Sequence, residues 1–505
     1  MRSVRHAAAG GWALTLALTL ALTLAACGGG GDSTEPPAPS DANPSLARIE
    51  PYERTVSMGA VLARSLEADP GVRVQPEAIV LEPLQWRALK RVDPRVADRR
   101  AVAVGLSRSV AATADVTNTS SQWTWQPLES GGWAAAIRLR APDSAGVRPG
   151  LWVRQLPAGA VVRTFGVGGG GEVTAATIRA TLDRLRASES ARRDEPLYWL
   201  PLVYGQEATV QIELPAGVDP AQVQVALPRV ALLWSLPGMA GDLRSEAPGI
   251  GELRSAETCH VNATCSPGYE AQGRSVARLL IIQSNGDAVL CSGVLLADTA
   301  RSGRAFLLTA RHCVASADEA ASVETYWFYR SSTCDGGATA RGAARRTGGA
   351  DLLRDLPDQD ATLLELTAPS ARPPDGVVHA GSLLGRPVNG TDLAGLHHPA
   401  GAPLKLSLGS LRGTVACTSN TPGSLSCART TEPSAGYLSV TWSQGITEGG
   451  SSGSPAFATV AGQRYVVGHL SAGSSTCADP AALDYYSRFD RVFPALRDWL
   501  SPQVP

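Results

Sequence analysis

Apolar and polar residues alternate with a period of two through much of the first half of the chain, from about Ile49 to Leu236. The alternation is clearest in Thr209 to Leu214 and in Gln222 to Val225. Such a period puts successive side chains on opposite faces of a strand, so these segments are predicted to be half-buried strands. The pattern therefore predicts a β-rich N-terminal domain over residues 49–236.

Two further features refine the prediction for this half. Thr174 to about Ser190 carries Ile178, Leu182 and Leu185 at helical spacing, which predicts one helix. Five tryptophans are spread among Gly and Pro turns, an arrangement that suits a β-sandwich core better than a sugar-binding surface. They are Trp123, Trp125, Trp133, Trp152 and Trp199. No cluster of acids, His or Cys in this half indicates a reactive site.

The second half is predicted to be a separate domain over residues 255–505. Pro237 to Gly251 is rich in Gly and Pro and indicates a linker over residues 237–254. Beyond it, short strands alternate with Gly, Asn and Asp turns, as a double β-barrel requires. Phe489 to Leu500 differs, because its apolar residues fall on one helical face despite Pro494. This segment is predicted to be a C-terminal helix, with a face formed by Phe489, Val492, Phe493, Leu496 and Trp499.

The first residues have the pattern of an export signal. Arg2 and Arg5 give a positive start, an apolar run follows from Trp12 to Ala26, and Leu24-Ala25-Ala26-Cys27-Gly28 resembles a bacterial lipoprotein signal-peptidase site. That resemblance implies removal of residues 1–26 and a lipid on Cys27. An uncleaved anchor and a plain secretory signal are the alternatives, and each of the three exports the remaining chain. The following Gly, Pro, Ser and Asp-rich segment is predicted to be a flexible tether over residues 27–48.

Composition narrows the class of protein. A chain of 505 residues is too long for one ordinary core, so two or three domains are expected. A net charge of -1 with 18% charged residues provides no basic field for nucleic acid, which argues against nucleic-acid binding. None of the nine cysteines lies between Cys27 and Cys259, and the clustering of the rest predicts disulfides in an oxidising compartment.

Candidate chemistry centres on the turn from Glu448 to Pro455, which contains three serines between glycines. A nucleophilic serine needs such a turn, because there the hydroxyl is exposed while backbone N–H groups point at a developing oxyanion. Most Gly/Ser-rich loops are ordinary turns, so the upstream sequence matters. Phe306 to Cys313 places His312 after an apolar strand, and Asp360 opens the strand that continues to Leu366. The order His, Asp, Ser is that of chymotrypsin-type proteases.

These three segments resemble the Thr-Ala-Ala-His-Cys, Asp-Ile-Ala-Leu-Leu and Gly-Asp-Ser-Gly-Gly-Pro motifs of trypsin-like serine proteases. The resemblance is stronger to the bacterial lysyl endopeptidases, which share the Gly-Ser-Ser-Gly-Ser-Pro form and an Asp-x-Thr-Leu-Leu-Glu-Leu segment. It covers roughly Ser255 to Leu500. It implies a mainly β fold, with a trypsin-like double six-stranded β-barrel behind a β-sandwich-like, propeptide-like N-terminal domain. It also implies a serine endopeptidase without a cofactor.

The resemblance implies three catalytic residues: Ser452 as nucleophile, His312 as general base and Asp360 as the carboxylate that orients His312. Of the nearby acids Asp351, Asp355 and Asp358, none directly precedes the Ala-Thr-Leu-Leu-Glu-Leu strand as Asp360 does, and Asp358 is the main alternative. Ser451 and Ser454 are candidates on chemistry alone, but alignment of the glycines and the proline selects Ser452. The N–H groups of Gly450 and Ser452 would then form the oxyanion hole.

Two departures from the trypsin pattern have consequences. Ser451 replaces the aspartate that pairs with the freed N-terminus in trypsin, so that form of zymogen control is not expected. Arg311 stands where the family has a small or polar residue, and its side chain is expected to point away from the imidazole, because a nearby cation would lower the pKa of His312.

Substrate preference depends on the residues that line the pocket. The position of the trypsin pocket aspartate is taken by Ile446, which cannot supply a charged floor. The lysyl endopeptidases instead place an aspartate after the last cysteine, and Asp484-Tyr485-Tyr486-Ser487-Arg488 resembles that segment. A buried Asp484 would select Lys or Arg by charge-assisted hydrogen bonding, whereas a surface Asp484 would leave a small or apolar pocket. Leu470 to Gly473, with Ser471 and Gly473, is predicted to be the edge strand that pairs with substrate.

The resemblance also implies the disulfides. It pairs Cys291 with Cys313, Cys259 with Cys477 and Cys265 with Cys334, which leaves Cys417 with Cys427. The adjacent His397 and His398 would point to opposite faces of a strand, so no metal site is expected there.

The sequence therefore predicts an exported monomeric serine endopeptidase with protein or peptide substrates. It would be anchored in a bacterial envelope by lipid on Cys27, at an outer membrane or cell surface, with release after processing as an alternative. Basic specificity would make Arg254-Ser255 a self-processing site. The rival hypotheses are a protease of non-basic specificity and a catalytically silent surface-binding lipoprotein.

Overall fold

A computed structural model describes residues 47–54, 74, 76–83, 101–188, 196–234, 256–336, 339–421 and 424–501. The described residues belong to one compact unit, Ser40–Pro505. The predicted signal sequence, Cys27, the tether as far as residue 46, and the linker with Arg254 and Ser255 lie outside them. No helix within the described ranges is long and apolar enough to cross a membrane.

The N-terminal half forms two sheets packed face to face. One has the strand order β10-β8-β13-β6-β3, with β5 beside β6, and the other contains β4, β14, β7, β12 and β9, with β11 beside β7. A single apolar core lies between them, as in a sandwich. The strands up to this point are β1 Arg48–Ile49, β2 Tyr52–Glu53, β3 Ala78–Val80, β4 Val102–Ser109, β5 Gln126–Pro127, β6 Trp133–Arg140, β7 Gly146–Gln155, β8 Val161–Phe165, β9 Gly168–Gly169, β10 Gly171–Thr174, β11 Tyr198–Trp199, β12 Val203–Tyr204, β13 Glu207–Leu214 and β14 Gln224–Leu233.

Strand β13 shows where the pattern of the sequence misleads. It lies between β6 and β8, and most of its residues are buried on both faces. The face predicted to meet solvent is covered at Gln211, whose side-chain oxygen accepts a hydrogen bond from Val74 N at 3.3 Å. Val74 packs against Ala134 and Ala136 of β6 in a small second core. The expectation of a half-exposed strand is therefore wrong here, because a segment distant in sequence covers the polar face.

The predicted helix of this half is α2. It spans Ala175–Ala187, and the Thr174 side chain caps its N-terminus by accepting from Thr177 N. Ile178, Leu182 and Leu185 are buried as expected.

Of the five tryptophans, Trp123, Trp125 and Trp133 pack in or against the main core. Trp199 packs against a second cluster, while Trp152 lines a surface cleft. The helices are α1 Val116–Ser120, α2 Ala175–Ala187, α3 Glu270–Gly273, α4 Ala317–Ala321 and α5 Phe489–Leu500, and the short 3₁₀ turns are Ala111–Thr113, Pro220–Gln222, Ala263–Cys265, Pro267–Tyr269, Pro357–Gln359 and Pro399–Gly401.

The C-terminal half contains a closed barrel of six strands, paired in the cycle β25-β26-β28-β31-β30-β29 and back to β25. Its other sheet pairs in the order β20-β19-β16-β17-β18-β22-β21. The strands are β15 Val261–Asn262, β16 Val276–Ile282, β17 Asp287–Leu296, β18 Phe306–Ala310, β19 Glu324–Trp327, β20 Ala344–Arg346, β21 Asp351–Leu356, β22 Ala361–Glu365, β23 Val378–His379, β24 Ser382–Leu383, β25 Asp392–His397, β26 Lys405–Thr421, β27 Ser424–Arg429, β28 Tyr437–Gln444, β29 Pro455–Val460, β30 Gln463–Gly473 and β31 Asp484–Arg488.

Helix α5 confirms the predicted C-terminal helix, with the predicted bounds. Its buried side chains join a core that also contains residues of β18, β25 and β29. The chain therefore has a mainly β fold in which the C-terminal helix packs where strands of both C-terminal sheets meet.

One sheet continues from the N-terminal half into the C-terminal half. Strand β4 pairs antiparallel with the first part of β17, while the later part of β17 pairs with β18. A shared apolar cluster contains residues of β4 and β14 together with residues of β16, β17 and β19. The two halves, which the sequence predicts to be separate domains, thus share a hydrogen-bonded ladder and a core.

A buried group of charges lies at the same junction. Glu324 of the C-terminal half is fully buried and its carboxylate lies 2.8 Å from Arg345 Nε and 3.5 Å from Arg148 Nε of the N-terminal half. Leu202 N donates to the same carboxylate at 3.0 Å. Burial alone raises the pKa of Glu324, but the two arginine charges outweigh it and hold that pKa below its usual range. Removing Arg148 would leave a buried charge with less compensation, which is strongly destabilising.

Candidate active site

The serine-rich turn lies between β28 and β29, where the closed barrel meets the other sheet. Ser452 O accepts a hydrogen bond from Ser292 N at 2.8 Å, and Gly450 O accepts one from Ser292 Oγ at 2.9 Å. Gly453 has a φ of 80°, and a Cβ at this position would collide with Thr309 and with the Ser292 carbonyl. Glycine is therefore required for the turn to approach β17 and β18 this closely.

His312 and Asp360 are joined by two hydrogen bonds. Asp360 ends the 3₁₀ turn Pro357–Gln359 in a left-handed conformation, with a φ of 46°, so that its carboxylate faces the loop after β18. Asp360 Oδ1 accepts from His312 N at 2.9 Å, and Oδ2 lies 2.8 Å from His312 Nδ1. A carboxylate can only accept at neutral pH, so Nδ1 carries the proton and Nε2 presents a lone pair. Burial raises the pKa of Asp360, but the charge and hydrogen bonds of His312 outweigh it and leave that pKa lowered.

A disulfide holds His312 close to the serine turn. The Cys291–Cys313 bridge joins β17 to the loop after β18. Ser292, beside one cysteine, binds the backbone of Ser452, and His312 is beside the other cysteine. Ser452 Oγ and His312 Nε2 are both buried, and neither has a hydrogen-bond partner among the described residues. Catalytic hydrogen bonds of this kind often form only when substrate is bound.

The neighbouring acids have other partners. Asp351 binds Arg184 at 2.7 Å and Thr367 at 2.7 Å, and Asp355 binds Arg311 at 3.1 Å. The Asp358 carbonyl accepts from the Tyr437 hydroxyl. Asp360 is thus the acid whose carboxylate contacts the imidazole. The Arg311 guanidinium is held by Asp355, in keeping with the expected orientation away from His312.

Two N–H groups of the turn are candidate oxyanion donors. Gly450 has a φ of 93° and Ser451 N donates to Glu448 O at 2.9 Å, which leaves the N–H groups of Gly450 and Ser452 without acceptors among the described residues. They stand on either side of Ser451, as the expected oxyanion hole requires.

The Ser451 side chain belongs to a buried chain of hydrogen bonds that the sequence did not predict. Ser407 Oγ donates to Ile446 O at 2.8 Å, so its oxygen accepts from His397 Nε2 at 3.0 Å. His397 Nδ1 is then an acceptor for Ser451 Oγ at 2.7 Å, and Ser451 Oγ accepts from Glu448 N at 3.3 Å. This arrangement requires a neutral imidazole, and burial does hold the pKa of His397 well below its usual range. His398 points elsewhere and binds Ala402 O at 2.9 Å.

His469 also contacts the site, although sequence reasoning did not single it out. Its Nε2 donates to the Asp360 carbonyl at 2.9 Å, and the ring is fully buried. Burial lowers the pKa of His469, which favours a neutral ring. The one signal in the sequence is that His469 directly precedes Leu470 to Gly473, the segment predicted to pair with substrate.

Asp484 is fully buried at the start of β31 and accepts five hydrogen bonds. Oδ1 accepts from the N–H groups of Ser474 and Ser475, each at 3.0 Å, and Oδ2 accepts from Trp442 Nε1 at 2.6 Å, Thr447 Oγ1 at 2.7 Å and Ser475 Oγ at 2.8 Å. Burial raises the pKa of Asp484, and the donors from Thr447, Ser475 and Trp442 oppose that rise. A surface position for Asp484 is therefore excluded.

Of the other predicted pocket residues, Gly473 lies beside Asp484 and Ile446 precedes one of its donors. Gly473 pairs with Asp484 across β30 and β31, and a Cβ on Gly473 would collide with Asp484 Oδ1. Thr447, which binds the carboxylate, follows the buried Ile446. Ser471 is buried and its Oγ has no hydrogen-bond partner among the described residues. Glycine is therefore required at position 473 for β30 to lie this close to the carboxylate.

The eight described cysteines form four bridges, three with the pairings that the resemblance implied and a fourth between the two cysteines that were left. They are Cys259–Cys477, Cys265–Cys334, Cys291–Cys313 and Cys417–Cys427. Glu257 lies beside Cys259 and Cys477, but both sulfurs are used in the bridge, so this group does not offer thiolate ligands to a metal.

Comparison with known proteins follows the same division of the chain. A family model for the lysyl endopeptidase C-terminal domain matches residues 253–487, and one for the lysyl endopeptidase N-terminal domain matches residues 80–234. A lysyl endopeptidase of Pseudomonas aeruginosa is 29% identical over 317 residues, which cover 60% of this chain and 63% of that protein. The match thus spans less than two thirds of the relative's length.

Two solved protease structures match about half of this chain. The active form of the Rv3671c protease from M. tuberculosis matches 50% of this chain and 90% of its own, with 15% identity and a TM-score of 0.32. The protease domain of MamO from Magnetospirillum magneticum matches 46% of this chain and 100% of its own, with 12% identity and a TM-score of 0.31.

Proposed function

Because the chain belongs to the lysyl endopeptidase-like proteases of the trypsin fold, through both its N-terminal and its C-terminal domain, we propose that it is an exported serine endopeptidase that cleaves after Lys or Arg. The observation that carries the proposal is the pair of hydrogen bonds between His312 and Asp360, next to a buried serine on a glycine-flanked turn. That arrangement has the parts that an acyl-enzyme mechanism needs.

In the proposed mechanism, Asp360 keeps the proton of His312 on Nδ1, so that Nε2 takes the proton of Ser452 Oγ as the oxygen attacks the peptide carbonyl. The N–H groups of Gly450 and Ser452 donate to the oxyanion of the tetrahedral intermediate. His312 then gives its proton to the leaving amine, and the peptide bond breaks to leave an acyl-enzyme on Ser452. Water, activated by His312, hydrolyses the ester and restores the serine.

Asp484 would select the residue before the scissile bond. The ammonium or guanidinium of a bound Lys or Arg would pass Gly473 and meet a carboxylate that is already aligned by five donors. Each donor holds the carboxylate in place without neutralising it, so a cation gains a full charge partner in a site closed to water. An apolar side chain would gain no such partner and would leave the buried charge uncompensated.

Self-processing would test nucleophile and specificity together. We expect a chain lacking residues 1–27 to be cut between Arg254 and Ser255, and a Ser452→Ala copy prepared identically to stay whole, as measured by mass spectrometry of the intact proteins. If the cut appears in both, a contaminating protease is responsible. If both stay whole, the cleavage specificity is measured with a peptide library instead. Cleavage without Lys or Arg before the scissile bond would show that Asp484 does not select the substrate.

His397 is proposed to position the oxyanion turn in place of the ion pair that trypsin makes at the position of Ser451. His397→Gln is expected to lower kcat by about 10- to 100-fold while KM changes little, because the Gly450 and Ser452 N–H groups act on the transition state. His398→Gln is the matched control, since that neighbour is equally buried and binds Ala402 instead. If kcat/KM falls equally in both variants, through a lower kcat and a higher KM alike, His397 only stabilises the core.

A further inference from the structure

A short arm, defined as residues 47–54, lies on the C-terminal half although it precedes the N-terminal sandwich in sequence. Strand β1 pairs antiparallel with β24, and β2 pairs antiparallel with β23. Leu384 N donates to Ala47 O at 2.7 Å, which extends the ladder by one bond. The arm lies before both stretches matched by the family models, residues 80–234 and 253–487.

The arm is packed as part of the core rather than laid on the surface. Ile49 is 2% exposed and belongs to the same apolar cluster as Phe306 and Val466. Gly381, next to β24, makes this approach possible, because a Cβ there would lie 2.6 Å from Ile49 O and 2.7 Å from Pro51 Cδ. The three atoms nearest to that position all belong to the arm.

Polar side chains of the arm have partners on the C-terminal half. Glu53 accepts from Arg274 Nη1 at 2.8 Å and from Nη2 at 3.0 Å, a bidentate pair. Glu50 accepts from the Tyr465 hydroxyl at 2.7 Å. Tyr52 stacks on His379 with ring centroids 4.5 Å apart. Shape, main-chain hydrogen bonds and charge therefore all match one occupant, the chain's own segment 47–54.

The arm and the sandwich hold the C-terminal half at different places. The arm pairs with β23 and β24, whereas the sandwich pairs through β4 with β17 and buries Glu324 against Arg148. Both attachments belong to the part of the chain before the proposed cut at Arg254-Ser255. A cut there would break one covalent connection and none of these contacts.

We propose that the groove formed by β23, β24 and Gly381 is a docking site for the arm, and that the arm keeps the catalytic half bound to the N-terminal fragment after the chain is cut. This proposal rests on the proposed function in one respect, the position of the natural cut between Arg254 and Ser255. The processed enzyme is then a two-chain complex, and whatever holds the N-terminal fragment at the cell envelope also holds the protease there.

The test uses the full chain from residue 28 to 505, made inactive by Ser452→Ala, so that neither activity nor self-processing enters the result. A recognition site for a foreign sequence-specific protease is inserted between Pro237 and Gly251, and an affinity tag is placed at the N-terminal end. After complete cutting, the rate at which the C-terminal fragment leaves the immobilised N-terminal fragment is measured. We expect the two fragments to co-elute in size-exclusion chromatography at micromolar concentration and to separate slowly.

Gly381→Ala is the decisive variant, because the three atoms nearest to its new methyl group all belong to the arm. It is expected to speed dissociation by about tenfold or more. Gly436→Ala is the matched control, since a Cβ there meets nothing within 4 Å. A second pair, Ile49→Asp against Val80→Asp, compares the buried arm residue with a valine that is 61% exposed on the same fragment. Melting of the uncut variants verifies that each is folded.

Fragments of the unaltered chain that separate as soon as they are cut would overturn the proposal. Dissociation that is equally slow in Gly381→Ala, Ile49→Asp and their controls would overturn it as well, because the sandwich alone would then hold the fragments together. Faster dissociation confined to Gly381→Ala and Ile49→Asp supports the docking site.

Discussion

Ser452→Ala is expected to lower kcat/KM by about 10⁴- to 10⁶-fold, the largest effect of any single substitution in this chain. The alanine removes the oxygen that forms the acyl-enzyme but leaves the N–H groups of Gly450 and Ser452 in place. A residual rate above that of the uncatalysed reaction is therefore expected from the oxyanion donors alone. The measurement is steady-state hydrolysis of a Lys-containing peptide ester or amide, with active-site titration by an organophosphonate.

Ser454→Ala is the control for this substitution. Ser454 lies in the same turn, is as buried as Ser452, and likewise has a side-chain oxygen without a hydrogen-bond partner among the described residues. We expect Ser454→Ala to retain labelling by the phosphonate and most of its activity. Labelling that survives in Ser452→Ala and disappears in Ser454→Ala would reassign the nucleophile, and no labelling of the unaltered protein would favour the silent binding lipoprotein.

Asp484→Asn is expected to have the second largest effect, confined to substrates with Lys or Arg before the scissile bond. Their kcat/KM should fall by about 10²- to 10³-fold, because the substrate cation would be buried without a charge partner. Substrates with an apolar residue there should lose little or gain, since the variant no longer buries an uncompensated carboxylate. Asp479→Asn is the matched control, because that aspartate is exposed in the loop before β31.

The pH dependence offers an independent check on Asp484. Burial raises the pKa of this carboxyl, so it takes up a proton at a higher pH than an ordinary aspartate. As pH falls through that raised pKa, the pocket loses its charge and KM for Lys substrates should rise. Both substrates use the same catalytic residues, so the ratio of kcat/KM between a Lys and an apolar substrate isolates the contribution of the pocket. We expect this ratio to fall with decreasing pH in the unaltered protein and to stay constant in Asp484→Asn. The same pH dependence of the ratio in both proteins would contradict the assigned pocket.

Sequence reasoning found the parts of the site that local patterns encode. Asp360 was separated from three nearby acids because it alone directly precedes an apolar strand, and the structure gives it the hydrogen bonds to His312. The C-terminal helix was predicted with its bounds because amphipathic periodicity is a local property. Asp484 was identified only through the resemblance to lysyl endopeptidases, because no sequence pattern near it predicts that five donors converge on its carboxylate.

Contacts between distant parts of the chain could not be predicted in this way. His397 reaches Ser451 across 54 residues and His469 reaches Asp360 across 109, and neither spacing follows a rule of secondary structure. The polar face of β13 was expected to meet solvent, but Val74 covers it from far upstream. The docked arm is the extreme case, because Arg48 belongs to the predicted tether and Ile49 to the predicted N-terminal domain, yet both pair with β24 of the C-terminal half.

The pairing of β4 with β17 means that one sheet is built from both halves of the chain. Strand β17 carries Cys291 and Ser292, and the first four of its ten residues pair with a strand of the sandwich. A C-terminal half folding by itself would present that edge unpaired, with Glu324 lacking Arg148, and an unpaired edge invites aggregation. The pairing joins segments far apart in the sequence, so its formation closes a long loop and costs more conformational entropy than a local pairing would. The N-terminal half thus completes a sheet of the protease half, and the stability of each half depends on the presence of the other.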